Sequence, residues 1–264
     1  SISHCGAKNI KLPKGIPHIC LCLTPARYLW DKFDDYFPSG VRRLLMKLCK
    51  GYLQAWDKFN LGAVSKFLVI SEFVEDRFRR CYGIDSTVVY PPSFFDWMGD
   101  EDKRRSAATP IKSRSRFLCV SAITPYKRVL EVIDAFTELG LPLDVVGGGP
   151  LAEEAKRKSL GEIVYYEKVT DAQLAKMYRE AKALVFFAEE DFGLVMVESL
   201  ASGTPVIALN SGGSKEIVTK DVGIIGDLDN IAESVRQFIQ NEDFYSPELC
   251  ITSANRFSLA NFRD

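Results

Sequence analysis

The sequence predicts an α/β protein whose C-terminal half is built on a parallel sheet covered on both faces. Apolar runs of only four or five residues recur from Phe117 onward, the length of fully buried strands. They alternate with longer stretches whose apolar residues fall at helical spacing, the pattern of repeated strand–helix units.

In the N-terminal half, His18 to Leu23 reads as a buried strand. Val41 to Phe59 reads as a helix, because Leu44, Leu45, Leu48, Tyr52, Leu53 and Trp56 recur at its period. Lys66 to Ile70 is a second strand. Ser71 then caps a helix through Tyr82 with Glu72 and Glu75 in its first turn, and Val88 to Tyr90 is extended until Pro91-Pro92 stops it. A charge-dense stretch without periodicity at 97–114 reads as a linker.

Beyond it the expected strands are Phe117–Val120, Leu143–Val146, Ile163–Tyr166, Ala183–Phe187, Pro205–Ala208 and Val222–Ile225. The expected helices are Val129–Leu139, Leu151–Leu160, Asp171–Lys182, Leu194–Ala201 and Ser214–Thr219. The expected domains are an N-terminal α/β domain over 1–100 and a Rossmann-like domain over 115–245. A helix or tail at 246–264 is expected to pack back on the N-terminal part.

Composition excludes several classes. A net charge of −1 leaves no overall field to recruit nucleic acid. No apolar run reaches the length of about 18 residues that spans a bilayer. The seven cysteines are odd in number and scattered, and the spacing of Cys20 and Cys22 suits neither a zinc knuckle nor a redox pair. Reduced, buried thiols in a cytoplasmic protein are expected, with no metal site.

In parallel sheets ligands bind outside the carboxyl ends of the strands, so function belongs to the loops at 121–128, 147–150, 188–193 and 210–214. After the strand ending at Phe187, Glu190 is followed by a helix starting near Phe192. The free N–H groups of Phe192, Gly193 and Leu194 could hold an anion or sugar oxygen there. Glu198, eight residues after Glu190, could take a ribose diol; alternatively the acids only complement the helix dipole. The glycines of Gly147-Gly148-Gly149-Pro150 permit close approach of a phosphate, or simply form a tight turn. Lys127 and Arg128 suit a diphosphate, or are solvated surface charges. Arg42, Arg43, Lys47 and Lys50 fall on one flank of the amphipathic 41–59 helix, which either lies on anionic lipid or presents a solvated face.

Taken together, these loops resemble family 4 glycosyltransferases of GT-B fold. The segment from Glu190 to Ala208 looks like the family's E-x7-E segment. Gly212-Gly213 with Glu216, Pro125-Tyr126-Lys127 and Gly147–Pro150 match in order and spacing. Thr24-Pro25-Ala26-Arg27-Tyr28-Leu29-Trp30-Asp31 is similar to the T-P-M-R-Y-x-W-D segment of a bacterial subgroup linked to GDP-mannose and polysaccharide assembly, and Ser71-Glu72 and Tyr90-Pro91-Pro92 continue the likeness.

The resemblance implies a retaining hexosyltransferase that moves a sugar, mannose in the subgroup, from a nucleotide-diphosphate sugar to a glycan or lipid-linked acceptor. No cofactor is implied, since GDP-mannose is a substrate. Lys127 and Glu190 become the catalytic pair. Gly148, Gly149, Lys127, Arg128, Glu190, Phe192, Gly193, Leu194 and Glu198 become the donor-binding set. Three departures stand against the pattern: Ala122 replaces an arginine five residues before Lys127, Leu23 replaces a histidine, and the N-terminal domain reads as incomplete. They support an alternative, a non-catalytic relative that binds sugar nucleotides or acts as a scaffold subunit. The incomplete sheet is expected to be covered by a second copy or another chain. The expected location is the cytoplasm, at the inner face of a membrane if the basic 41–59 helix meets lipid rather than solvent.

Overall fold

A computed structural model describes residues 1–4, 6–13, 15–59, 61–93 and 109–263. Residues 97–108 of the expected linker, and Cys5, lie outside the described residues. The chain divides into two compact units, Ser1–Pro91 and Pro92–Asp264.

The first unit carries a four-stranded parallel sheet in the order β1-β2-β3-β4. Its strands are β1 (Ile2–Ser3), β2 (Ile19–Cys22), β3 (Lys66–Val69) and β4 (Thr87–Val88). The two-residue strand β1 was not expected; it is too short to show an apolar pattern, and pairing with Leu21 and Cys22 defines it. Three helices accompany the sheet: α1 (Phe33–Tyr36), α2 (Gly40–Lys58) and α3 (Glu72–Tyr82). Helix α3 starts where Ser71 Oγ accepts the Val74 N–H at 3.0 Å, as the sequence predicts. Its inner face packs Phe78 against Phe67 and Tyr82, with ring centroids 4.9 and 4.8 Å apart.

A buried polar centre holds this unit together. Asp57, near the end of α2, pairs with Lys8 and accepts from Trp30 Nε1 at 2.9 Å and from the Tyr82 hydroxyl at 2.8 Å. Arg77 of α3 reaches Asp31 at 2.6 Å and donates to Thr24 Oγ1 at 3.2 Å. Thr24, Trp30 and Asp31 of the T-P-A-R-Y-L-W-D segment are therefore engaged inside the unit. Free Cys20, Cys22 and Cys81 are buried here, and burial pushes the Cys22 thiol up to about 12 and that of Cys81 to about 11.

Helix α2 inverts the usual arrangement. The regular apolar spacing of 41–59 ordinarily marks a core-facing stripe. Here Val41, Leu44, Leu45, Leu48, Tyr52 and Trp56 are exposed, and Asp57 is the buried residue of the helix.

The second unit has six parallel strands: β5 (Phe117–Val120), β6 (Leu143–Val146), β7 (Ile163–Tyr166), β8 (Leu184–Phe186), β9 (Val206–Leu209) and β10 (Gly223–Gly226). Their order across the sheet is β7-β6-β5-β8-β9-β10. The helices between them are α4 (Val129–Leu139), α5 (Ala152–Lys158), α6 (Asp171–Glu180), α7 (Leu194–Ala201) and α8 (Ser214–Ile217), followed by α9 (Ile231–Gln240), α10 (Pro247–Ala254) and α11 (Leu259–Arg263). Five expected elements of this unit, β5, β6, β7, α4 and α7, have the predicted bounds. Phe117, Phe136 and Phe238 meet edge-on in the core between sheet and helices. Helix α10 packs on α7, and the Ser93 N–H donates to the Phe257 carbonyl at 2.9 Å within this unit.

Candidate functional site

The strand order of the second unit locates a crevice before any side chain is considered. From β5 the chain winds one way through β6 and β7, then returns to the other side of β5 to lay down β8, β9 and β10. The loops leaving β5 and β8 therefore diverge to opposite sides of the sheet and leave a gap at the switch point.

Lys127 and Glu190 come from those two loops. Lys127 ends the tight turn Pro125–Lys127 after β5, and Glu190 follows β8. Their side chains form an ion pair, with only 15% and 23% of each left exposed. The Lys127 ammonium also stands 5.4 Å from the Tyr126 ring centroid and 6.0 Å from that of Phe186.

From Glu190 the chain runs through Asp191 and Phe192 into α7. Gly193 is its N-cap, at φ 108°. The Met196 N–H donates to the Gly193 carbonyl at 3.0 Å, and the dipoles at a helix start favour an anion or a sugar oxygen. Phe192 is buried and meets the Phe257 ring edge-on at 5.3 Å.

The turn Gly212-Gly213 braces the same loop. The Gly213 N–H donates to the Glu190 carbonyl at 2.9 Å. A β-carbon on Gly213 would stand 2.1 Å from the Phe192 carbonyl oxygen, so only glycine lets the two loops lie this close. Ser211 Oγ adds a 2.7 Å bond to the neighbouring Glu189. From sequence this turn is a weak signal, since its partner lies over twenty residues away. The contribution of Phe257 has no sequence signal at all.

Glu198 sits about one turn into α7 and accepts from the Tyr178 hydroxyl of α6 at 3.1 Å. Burial raises its carboxyl above the usual range, and the Tyr178 bond offsets part of that rise. Tyr178 is the partner that the sequence did not mark.

The remaining expected residues divide. Gly148 and Gly149 lie in the loop after β6, which packs against the Lys127 loop: Ile123 N–H donates to the Gly148 carbonyl at 2.8 Å. A β-carbon on Gly149 would stand 2.5 Å from the Ile123 carbonyl oxygen, so backbone packing accounts for this glycine without a ligand. Arg128 turns elsewhere, in the left-handed region at φ 56°, and pairs with Glu131 at 3.2 Å on the exposed side of α4. Ala122 is exposed on the loop that carries Lys127. Among the described residues no group of His, Cys, Asp and Glu is arranged to hold a metal ion.

The family described as Glycosyl transferases group 1 matches residues 100–255. The N-acetyl-alpha-D-glucosaminyl L-malate synthase of Bacillus anthracis is 27% identical over 51% of this chain and 38% of its own length. The GDP-mannose-dependent alpha-(1-6)-phosphatidylinositol monomannoside mannosyltransferase of Mycobacterium tuberculosis is 25% identical over 66% of this chain and 52% of its own. The chain thus spans at most about half the length of these two relatives. The sucrose-phosphate synthase of Thermosynechococcus elongatus shares the fold with a TM-score of 0.70 at 18% identity, over 92% of this chain and 64% of its own.

Proposed function

The chain belongs to the Glycosyl transferases group 1 family, and from that membership we propose that it forms the donor-binding part of a retaining mannosyltransferase. The donor is GDP-mannose and the acceptor a glycan or a lipid-linked sugar. The observation that carries the reading is the meeting of Lys127 and Glu190 at the switch point of the sheet, beside the start of α7. The likeness to the mycobacterial GDP-mannose-dependent enzyme supports the choice of donor.

Breaking a glycosyl–phosphate bond leaves negative charge on the departing nucleotide. Lys127 and the N–H groups entering α7 are fixed donors for that charge, which lowers the barrier. Glu190 accepts from sugar hydroxyls and Glu198 from the ribose. An acceptor attacking from the leaving-group face retains configuration without a protein nucleophile. The buried free cysteines fit a reducing, cytoplasmic setting.

The ion pair gives the test its two arms. A diphosphate competes with Glu190 for Lys127, so the pair opens when donor binds. Calorimetry on Lys127→Ala should show at least about tenfold weaker binding of GDP and GDP-mannose alike, the scale of a charge-assisted contact. Glu190→Ala should leave GDP binding unchanged or tighter and lose the preference for GDP-mannose over GDP. Unchanged GDP affinity in Lys127→Ala would end the proposal. Retention is read by NMR of mannose released from the donor, where the α-anomer should appear first.

A further inference from the structure

We propose that helix α2 docks the protein on an anionic lipid surface. This goes beyond the donor site and does not depend on it.

Leu44, Leu45, Leu48, Tyr52, Trp56 and Phe59 are each 49–75% exposed. At 100° per residue they fall within one stripe about 120° wide, a continuous apolar face on a helix about 28 Å long. A solvated surface rarely carries such a contiguous patch without a partner.

Charge on the same helix selects that partner. Arg42 borders one edge of the stripe, and Lys47 and Lys58 border the other; all three are exposed. Arg43 and Lys50 face inward: Arg43 donates to the Phe37 carbonyl at 2.7 Å, and the Lys50 ammonium lies 4.5 Å from the Phe33 ring centroid. These two cations, together with Lys58, whose ammonium lies 4.9 Å from the Trp30 ring centroid, hold the helix to its unit and leave Arg42 and Lys47 for whatever covers the stripe. The helix has a single acid, Asp57, which is buried against Lys8. A second copy seated face to face would therefore oppose cation to cation with no acid to pair them. A bilayer with anionic headgroups satisfies both features, taking the apolar stripe among its acyl chains and the flanking cations at its phosphates. Tyr52 and Trp56 are the side chains that prefer that boundary. Among the described residues no helix is long and apolar enough to cross a membrane, so α2 lies along the surface.

Flotation of the full chain with vesicles of phosphatidylcholine, alone or mixed with phosphatidylglycerol, tests this. Binding to the anionic vesicles is expected to be at least about tenfold tighter, and to weaken as salt rises. Leu48→Asp should reduce it about tenfold or more with an unchanged melting midpoint, since Leu48 is 74% exposed and supports no core. Arg42→Gln with Lys47→Gln should reduce it about fivefold per charge removed. Absence of binding, equal binding to both vesicles, or insensitivity to Leu48→Asp would each overturn the proposal. So would a dimer in solution that Leu48→Asp converts to monomer without any vesicle binding in the parent chain.

Discussion

Glu198 lies beside the Tyr178 hydroxyl with its carboxyl raised above the ordinary range, first by burial. A carboxyl raised on folding takes up protons as the chain folds. Stability therefore falls as pH climbs from the ordinary carboxylate value of about 4.3 through the folded-state value. Glu198→Gln keeps an acceptor for Tyr178 and removes this penalty. Thermal melts should show a higher midpoint than the parent at about pH 8, with the difference closing near pH 4. An equal gap at both pH values would mean that the ionised form is not what destabilises the site. Ala122 is the other telling residue. It is exposed on the Lys127 loop, where the family pattern carries an arginine. Ala122→Arg should tighten GDP binding about three- to tenfold, the scale of one partly solvated charge contact. No gain in calorimetry would mean that this position does not reach the diphosphate.

At the scale of elements, the Glu190 loop is shaped by neighbours distant in the chain. Gly213 sits against the Phe192 backbone, and Phe257 closes on the Phe192 ring. Gly213→Ala would press a methyl group onto the Phe192 carbonyl and force the loops apart. It should cost about 2–4 kcal/mol in chemical denaturation and weaken nucleotide binding together with it. A stability loss without any change in binding would separate the brace from the site. Element boundaries were legible where local chemistry decides them, as at Ser71, whose hydroxyl caps α3. The orientation of α2 was not. The periodicity of 41–59 marks an apolar face, but only the packing of Asp57 inward shows which way that face looks.

For the molecule as a whole, each unit has its own organising centre. In Ser1–Pro91 it is Asp57, which joins Lys8, Trp30 and Tyr82 from three separate segments. Asp57→Ala would strand a buried ammonium and two donors, and should destabilise this unit by about 3–5 kcal/mol. Trp30 lies within the affected unit, so fluorescence-detected unfolding checks this. A loss below about 1 kcal/mol would mean that water reaches Lys8. In Pro92–Asp264 the centre is the sheet, whose order creates the crevice.

The sequence by itself determined the alternation of strands and helices, the caps and the residue types at Lys127, Glu190 and Glu198. These follow from periodicity and local hydrogen bonding, which act over a few residues. Tertiary structure alone decided that Lys127 meets Glu190 while Arg128 turns to Glu131, that Tyr178 partners Glu198, and that α2 shows its apolar stripe to solvent. The reason is physical: side-chain pairing and face orientation depend on strand order and on contacts between segments far apart in the chain, and no local pattern encodes either.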